Sequence, residues 1–196
     1  EDKLVFINNT SNIHLDIMRP EPMLSGLESV LRNLNYQQND LKLFEFGKSY
    51  QKAVNQNGEE DSFEERSFLS LYMVGAKSAE SWQNDNQSLG FYDLKKWVHQ
   101  LLNQLNIRKY KLTETEDQRF SFGVEYAAGK NILVKFGAVN KAILKKMGIK
   151  SAVFYAEFSV SVLLLMLKSH NVKIDIISKF PSTRRDLALV CDESVS

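Results

Sequence analysis

Cysteine and histidine, the side chains that most often bind metals or act as nucleophiles, are few and widely spaced in this chain. The one cysteine, Cys191, lies between strand-like residues, which favours a buried small side chain. One thiol rules out an intramolecular disulfide and the four-thiolate zinc and iron–sulfur sites. None of the three histidines, His14, His99 and His170, lies at a metal-ligand spacing from another. The sequence therefore predicts no metal site.

Phosphate-binding loops and serine nucleophiles are also missing. The nine glycines are scattered, and no two lie at positions i and i+2, which removes the dinucleotide-binding fingerprint. Neither Gly-x4-Gly-Lys-Ser/Thr nor the Gly-x-Ser-x-Gly nucleophile elbow occurs. We therefore predict no catalytic and no cofactor-binding residues in this chain.

The charge balance argues against a dedicated nucleic-acid-binding protein. Lys and Arg total 25 and Asp and Glu total 24, so the net charge is +1, whereas such proteins usually carry a large positive excess. The 196 residues, 43% of them hydrophobic, suit one globular domain or one domain plus a fragment of a second. The start without Met and the abrupt end predict a piece of a longer chain.

Targeting and membrane signals are absent from the sequence. The longest apolar run, residues 160–167, is interrupted by Ser161 and is too short to cross a bilayer. The first residues lack a signal-peptide pattern. A single cysteine is weakly typical of a reducing compartment. We therefore expect a cytoplasmic protein with no membrane partner.

In the first half of the chain, the pattern predicts a helix and a hairpin. Pro20 and Pro22 suit the first turn of a helix. An apolar stripe at three- and four-residue intervals follows, formed by Leu24, Leu27, Val30, Leu31 and Leu34. Residues 41–50 and 66–75 predict a long-looped antiparallel hairpin with the turn signal Asn57-Gly58, and the second strand, apolar on both faces, is expected to be central.

In the second half, helices and strands alternate. Residues 90–107 predict the clearest helix, with one apolar face formed by Leu94, Trp97, Val98, Leu101, Leu102 and Leu105. A second hairpin connects at residues 128–131, and its inward positions are predicted to be Phe120, Phe122, Val124 and Tyr126 on one strand and Ile132, Val134, Phe136 and Ala138 on the other.

The remaining elements complete the predicted fold. They are a helix over residues 141–147 that ends at Gly148, a strand over 152–158, a helix capped by Ser159 or Ser161, and strands over 171–177 and 185–191. The order favours an α+β fold, with an antiparallel β-sheet flanked by helices.

Four segments of the sequence, in order, resemble one family. "MRPEPMLSGLESVLRN" is similar to the Arg-Pro-x-Leu-Leu-x-Gly-Leu-Leu helix of the phenylalanyl-tRNA synthetase β subunit of bacterial type. "DLKLFEFGKSY" resembles its Leu-Phe-Glu-Ile-Gly-x-x-Tyr/Phe strand, and "GFYDLKKWVHQLL" its Phe-x-Asp-Leu-Lys-Gly helix. "ISKFPSTRRDLALVCDESV" resembles the strand that opens the family's C-terminal anticodon-binding domain. The resemblance covers nearly the whole chain.

The resemblance implies a class II aminoacyl-tRNA synthetase-like core that is not itself catalytic. In that family a separate α subunit binds ATP and phenylalanine and charges tRNA(Phe), and the β core packs against α in an (αβ)2 assembly. For the whole enzyme this implies ATP and Mg2+, with no cofactor in this fragment. Residues 1–176 are expected to form the core, and 177–196 the start of a truncated ferredoxin-like anticodon-binding domain.

The residues themselves agree with a non-catalytic core. Class II chemistry needs arginines, one on the motif 2 strand for the α-phosphate and another in a glycine-rich motif 3, to offset charge on the triphosphate. Residues 41–50 contain no arginine, only Lys42 and Lys48, and no Gly-x-Gly-x-Gly-x-x-Arg occurs. The sequence also departs from the family at 121–124 and 137–140, where His-Pro-Gly-Arg and Gly-x-Leu-His-Pro are often found.

Three groups of residues are candidates for contacts. Those on the first helix, predicted to meet a synthetase subunit, are Arg19, Met23, Leu24, Leu27 and Leu31; the alternative is an ordinary core helix, and one helix can do both. Those predicted to touch RNA are Lys179, Arg184 and Arg185, with Phe180 for base stacking; the alternative is a structural Arg185-Asp186 pair and solvated neighbours. A basic helix face, Lys141, Lys145 and Lys146, is a further candidate for RNA contact or is simply solvated.

Two classes of function remain open at this point. One is the structural and assembly core of a heteromeric tRNA ligase. The other is a free-standing class II-like paralogue that regulates by binding a small molecule or a protein. An independent enzyme ranks third, because the catalytic arginines are missing from the pattern.

Overall fold

A six-stranded antiparallel sheet forms the centre of the molecule. The computed structural model describes residues 3–10, 16–53, 62–78, 81–82, 87–168, 180–181, 183–188 and 190. In chain order the elements are α1 (Pro22–Asn35), β1 (Leu41–Ala53), β2 (Ser62–Val74), α2 (Phe91–Gln104), β3 (Lys111–Glu114), β4 (Phe120–Ala128), β5 (Asn131–Val139), α3 (Lys141–Met147), β6 (Val153–Ser159) and α4 (Val160–Lys168).

The sheet has the strand order β1-β2-β6-β5-β4-β3, and every neighbouring pair is antiparallel. Both predicted hairpins, β1–β2 and β4–β5, are therefore confirmed, as is the α+β class. Strand β2 lies between β1 and β6, which explains why its sequence is apolar on both faces. The Asn57-Gly58 turn signal lies outside the described residues.

Two hydrophobic cores lie on opposite faces of the sheet, because side chains alternate along each strand. The first is built mainly from α1 and α3, with the buried residues Met23, Leu27, Val30, Leu41, Tyr72, Val74, Phe120, Val139, Leu144, Ile149, Val153 and Tyr155. The second is built from α2 and α4, with Leu69, Met73, Leu89, Leu94, Val98, Leu102, Ile107, Val124, Tyr126, Leu133, Val134, Phe136, Ala156, Phe158 and Leu163.

Two register shifts overturn part of the predicted alternation. A bulge between Phe120 and Phe122 sends Phe120 into the α1/α3 core, while Phe122 is 50% exposed. A second shift, between Tyr126 and Ala127 on β4, leaves Ile132 partly exposed on the neighbouring strand. The prediction that Phe120 shares a face with Val124 and Tyr126 is therefore wrong, because one extra residue reverses the side-chain faces beyond it. Phe122 stays on the α2 side, with its ring centroid 4.9 Å from that of Phe91. The inward prediction for Ile132 is wrong, since this side chain is 38% exposed.

The helices end largely where the capping residues predict. The Asn140 side chain accepts a hydrogen bond from the Ala142 N–H at 2.9 Å, and Gly148 ends α3 with φ +79°. Ser159, rather than Ser161, caps α4, since its Oγ accepts the Val162 N–H at 3.5 Å. On α2, Trp97 lies at the margin of the predicted apolar face, where it lines a cavity with Leu101 and Met73 and is 48% exposed.

The C-terminal strand prediction is not supported by the described residues. Of 185–191, residues 185–188 and 190 are described and none is in a strand, so the prediction is wrong there. An extended segment needs a neighbouring strand to satisfy its N–H and C=O groups, and the pairings of the described part of the chain give these residues no such neighbour. The predicted strand 171–177 and the residues His14, His170 and Cys191 lie outside the described ranges.

Candidate functional site

Arg19 is a hub that connects the start of α1 to the first hairpin. Its Nη1 donates to Glu45 Oε1 at 2.6 Å and to Ser25 Oγ at 3.1 Å, and its Nε donates to the Lys48 carbonyl oxygen at 3.3 Å. The guanidinium also lies 4.9 Å above the Phe68 ring centroid, a cation–π geometry. One side chain thus hydrogen-bonds to a helix and a strand and also contacts an aromatic ring.

The glycines of the two family-like motifs make room for this packing. A Cβ on Gly47 would overlap the Arg19 guanidinium and lie 2.7 Å from the Phe68 ring. A Cβ on Gly26 would overlap the Tyr72 ring, whose hydroxyl donates to the Pro22 carbonyl oxygen at 2.9 Å. The two motifs therefore form one structural unit, in which helix and strand approach more closely than an alanine would allow.

A second cationic centre, Arg119, lies just before β4 and is surrounded by carboxylates. Its Nε and Nη2 donate to the two oxygens of Asp117 at 3.0 and 2.8 Å, a bidentate pair. Its Nη1 lies 2.9 Å from Glu157 Oε2 and 3.4 Å from Glu21 Oε2. Lys135 Nζ lies 3.3 Å from Asp117 Oδ2. We call these five residues the Arg119 network.

Electrostatics keep the Arg119 network ionised at its centre. Burial alone would raise the pKa of Asp117, but hydrogen bonds and charge from Arg119, with the charge of Lys135, outweigh burial and lower that pKa to about 2. Burial opposes the charge of Arg119, yet the hydrogen bond with Asp117 and the charge of Glu157 raise the pKa of its guanidinium further. Burial, assisted by the charges of Glu157 and Asp117, raises the pKa of Glu21 against the attraction of Arg119.

Tyr155 connects the Arg119 network to Ser70 on β2. Its hydroxyl donates to Glu157 Oε2 at 2.7 Å and lies 3.4 Å from Ser70 Oγ. Burial, and then the negative charge of Glu157, raise the pKa of Tyr155, so it remains a donor. Within the described residues, no buried side-chain nitrogen or oxygen lacks a hydrogen-bond partner. The buried polar side chains around the Arg119 network therefore find their hydrogen-bond partners within the chain.

The Arg119 network lines a cleft of about 760 Å³ on the α1 side of the sheet. Its two cations face three carboxylates, so the network carries a net negative charge. Arg66, also on the cleft, is paired with Glu64 at 2.7 Å. A triphosphate needs uncompensated cations at its binding surface, and these residues do not fit one. The arrangement instead fastens α1, the loop before β4, and β6 together.

The two lysines at the exposed positions of β1, the strand where an arginine of motif 2 was sought, are also bound to neighbouring groups. Lys48 Nζ lies 2.6 Å from Glu65 Oε1, and Lys42 Nζ donates to the Lys77 carbonyl oxygen at 2.8 Å. Both side chains are on the exposed positions of β1. Each is occupied by a neighbour on the same surface.

The predicted subunit-interface residues are divided between the interior and the surface. Met23 and Leu27 are buried in the α1/α3 core, and Arg19 is held in its hub with 29% of its side chain exposed. Leu24 is 44% exposed and Leu31 is partly buried against the core. The interface stays a prediction, and on α1 it depends on Leu24 in particular.

The predicted RNA-contact residues are exposed where the structure describes them. Arg184 and Arg185 are exposed, and Arg184 Nε lies 3.9 Å from Asp186 Oδ1. Phe180 is 84% exposed, and Lys179 lies outside the described residues. These contacts also stay a prediction.

The two segments that depart from the family pattern lie side by side. Gly123 and Gly137 pair directly across β4 and β5, and a Cβ on Gly137 would overlap the Phe122 carbonyl oxygen. Ser121 Oγ accepts the Lys141 N–H at 3.3 Å, which connects the first segment to the start of α3. Where the family often has histidine and proline, this chain has a close backbone contact.

Sequence reasoning missed the Arg119 network. Its five members come from four separated segments, and only Asp117 and Arg119, two residues apart, lie near each other in the sequence. That pair is a local signal that could have been noticed, because it precedes a strand in a polar segment. Among the described residues, no group of three or more His, Cys, Asp or Glu could hold a metal ion, and no helix is long and apolar enough to span a membrane.

Comparison with solved structures identifies the fold. Two structures of pyrrolysyl-tRNA synthetase from Desulfitobacterium hafniense superpose with TM-scores of 0.57 and 0.58 at 18% sequence identity. Each covers 85% of this chain, and the matched region is 54% and 53% of the respective synthetase chain. The expected class II synthetase-like fold is therefore confirmed.

Comparison with curated sequences gives closer relatives. The phenylalanine–tRNA ligase beta subunit of Bacteroides thetaiotaomicron is 32% identical over 198 residues, covering 98% of this chain and 24% of that protein. That of Fusobacterium nucleatum is also 32% identical over 198 residues, covering 99% of this chain and 24% of the relative. The chain thus spans about a quarter of the length of these curated relatives.

A family model, described as the phenylalanyl tRNA synthetase beta chain CLM domain, matches residues 1–160. That range contains all of the sheet and the first three helices. It also contains the Arg19 hub, the contacts that depend on Gly26 and Gly47, and the whole Arg119 network. Since the match covers more than half of the residues and the relatives above agree with it, the chain belongs to the phenylalanyl-tRNA synthetase β-chain family, in which it corresponds to the CLM domain.

Proposed function

We propose that this chain is the non-catalytic core of the β subunit of a phenylalanine–tRNA ligase, and that it packs against the catalytic α subunit in an (αβ)2 assembly. The observation that carries the proposal is the family match over residues 1–160, together with 32% identity to beta subunits across nearly all of the chain. The whole enzyme would then charge tRNA(Phe) with phenylalanine at the expense of ATP, with Mg2+, in the cytoplasm.

The Arg119 network supports the non-catalytic part of the proposal. Binding of the ATP α-phosphate by Arg119 would require breaking a bidentate ion pair with Asp117 and displacing Glu157. Removing one partner of such a partly buried group leaves an uncompensated charge, which is costly. ATP and Mg2+ are therefore assigned to the partner subunit, and this face of the sheet to structural support.

The proposal extends to domain organisation and RNA contact. Residues 1–176 would form the core, and 177–196 the first part of a C-terminal ferredoxin-like domain. In that second part Lys179, Arg184 and Arg185 would face tRNA phosphates. Their support is the sequence resemblance and, for the two arginines, the exposure of their side chains. No observation favours the free-standing regulatory paralogue.

Association with the cognate catalytic subunit tests the proposal. The chain is mixed with that subunit and analysed by gel filtration with light scattering, and a joint peak is expected. Leu24→Glu places a charge on the exposed position of α1 and is expected to weaken co-elution at least tenfold. Leu112→Glu is the matched control, because Leu112 is similarly exposed, at 47%, on the far edge strand β3. Failure of the unmodified chain to co-elute would overturn the proposed function.

A further inference from the structure

Positive charge is concentrated in one stretch of a chain that is otherwise balanced. Residues 127–156 contain six lysines and no aspartate or glutamate, although the whole chain carries 25 Lys and Arg against 24 Asp and Glu. Four of the six lie on or next to α3: Lys141, Lys145, Lys146 and Lys150. We call these four residues the α3 lysine face.

The fold holds this face in a fixed orientation. Leu144 is 5% exposed and Ile149 is 4% exposed, and both pack in the α1/α3 core. Asn140 caps the start of α3, and its Nδ2 donates to the Gln118 carbonyl oxygen at 3.0 Å. The helix is thus anchored on one side, and all four lysines are exposed on the other.

The four lysines have no ion-pair partner among the described residues. By contrast, Lys48 Nζ and Lys135 Nζ each lie within 4 Å of a carboxylate oxygen. Lys141 stands at the first position of α3, where the positive end of the helix dipole disfavours a cation, and that turn holds no acidic residue. Helix stability therefore does not explain this lysine.

A cleft lies against the same face. It has a volume of about 660 Å³, and its lining includes Lys141, Lys145, Lys150 and the hydroxyl-bearing Ser121 and Ser151. Lys141 and Lys145 are one turn apart, so their Cβ atoms are about 5–6 Å from each other on one side of the helix. The cleft can therefore admit an anionic group between several ammonium groups.

We propose that the α3 lysine face binds the sugar–phosphate backbone of RNA and, resting on the proposed function, that this RNA is the tRNA substrate. Phosphate contacts of this kind position a nucleic acid without reading its sequence. The face would add an RNA contact on the core itself, separate from the residues near the C-terminus.

The chemistry of the face favours RNA over an acidic protein. Protein–protein interfaces are depleted in lysine and rely on buried aromatic or arginine anchors. The exposed residues around α3 are four lysines together with Ala142, Gly148, Ser151 and Ala152, with no large apolar or aromatic side chain among them. A surface with point charges and no anchor matches a phosphate backbone, whose binding depends mainly on neutralising charge.

Salt-dependent binding tests the inference. Fluorescently labelled tRNA(Phe) is titrated with the full 196-residue chain at several salt concentrations, and the affinity is read from anisotropy. The four phosphate contacts of the α3 lysine face should contribute a slope of log K against log salt of about −2.8 to −3.6. The variant K141Q/K145Q/K146Q/K150Q is expected to lose most of this slope and to bind at least thirtyfold more weakly at low salt.

A matched variant controls for net charge. K96Q/K109Q/K111Q/K168Q removes four other exposed lysines and is expected to retain nearly the whole slope of the unmodified chain. Thermal unfolding followed by circular dichroism identifies any variant that loses its fold. If a quadruple variant is destabilised, single Lys→Gln variants replace it, and each is expected to reduce the slope by nearly one. Equal slopes for the two quadruple variants, or a slope near zero for the unmodified chain, overturn the inference.

Two further measurements separate this inference from the proposed function. Co-elution with the catalytic subunit, together with unchanged RNA binding by the α3 variant, leaves the proposed function standing and refutes the inference. Loss of RNA binding by the α3 variant without co-elution supports the basic face and refutes the assembly. Displacement of tRNA by polyglutamate at equal charge concentration would mark a general anion surface and overturn the assignment to RNA.

Discussion

At the scale of single residues, charges on the α1 side of the sheet are satisfied within the chain. Arg119 is held by Asp117, Glu157 and Glu21, and Arg19 by Glu45 and a backbone carbonyl. Partly buried pairs of this kind contribute more than exposed ones, because solvent screens them less. Stability should therefore depend on the ionisation of this network.

The low pKa of Asp117 predicts a specific loss of stability in acid. Its pKa of about 2 lies below the value near 4 expected when unfolded. The ionised pair therefore stabilises the fold fully above about pH 4, and this contribution, about 2 kcal/mol, disappears as the pH falls towards 2. Denaturant unfolding between pH 7 and pH 2 measures it, and Asp117→Asn should remove this part of the pH dependence.

The control for this prediction is Glu116→Gln, which removes the same charge from the exposed neighbour. It should keep the pH profile of the unmodified chain. Profiles that remain parallel for Asp117→Asn and the unmodified chain would show that the ion pair does not contribute in this way.

At the scale of elements, the contact between α1 and β2 depends on a glycine. The hydroxyl of Tyr72 reaches the Pro22 carbonyl oxygen only because Gly26 leaves space for its ring. Tyr72 also packs against Tyr155, with ring centroids 5.0 Å apart. The helix is thereby fixed over the centre of the sheet, beside the Arg119 network.

Gly26→Ala is expected to destabilise the fold, although alanine is the better helix former. Overpacking against Tyr72 costs about 1–3 kcal/mol, which exceeds the gain in helix propensity of about 1 kcal/mol. Urea unfolding gives the difference. In a Tyr72→Ala background the same substitution should become neutral or stabilising, since the clash is gone, and an equal cost in both backgrounds would refute this explanation.

Gly90→Ala is the matched control for that experiment. At this position the nearest atom to a new Cβ is an Asp93 carboxylate oxygen, 3.7 Å away. The backbone is extended there, with φ −135°, so alanine fits without strain. Gly90 is the N-cap of α2, where alanine is less favourable than glycine. A cost of about 0.5–1 kcal/mol is therefore expected, and it should be equal with Tyr72 and in the Tyr72→Ala background.

The elements that sequence reasoning predicted well are those with strong local signals. Helix α3 was predicted at its observed bounds, because Gly148 and the periodicity mark it within seven residues. The reversal at Phe120 could not be predicted, since a bulge depends on pairing with Val139 and leaves the alternating sequence of β4 unchanged. The Arg119 network was missed because Glu21 and Glu157 lie far from Arg119 in the sequence and come close to it only in the folded chain.

At the scale of the whole molecule, the sheet is shared by two cores with different helices. Leu27 of α1 and Leu102 of α2 are both fully buried, but they belong to different clusters. Alternate residues of β2 contribute to the two clusters, as Tyr72 and Met73 do. We therefore expect the two cores to unfold together as one cooperative unit.

Cavity-forming substitutions in each core test this expectation. Leu27→Ala and Leu102→Ala should each lower the free energy of unfolding by about 2–5 kcal/mol. Their effects should add in the double variant, because the two side chains share no core cluster. Far-UV circular dichroism and tyrosine fluorescence should give one coincident transition for each variant. A transition that splits in one variant only would show that the cores are independent.

The Arg119 network also has an evolutionary consequence. Asp117, Glu157 and Glu21 together hold one guanidinium, so a mutation that removed a single carboxylate would leave the other two in place. A mutation that removed the guanidinium would leave three acidic groups facing one another at a cost in stability. Binding of a nucleotide phosphate by Arg119 would need several coordinated substitutions through less stable intermediates. A lineage that acquired the network therefore tends to keep it, because the same contacts hold its fold.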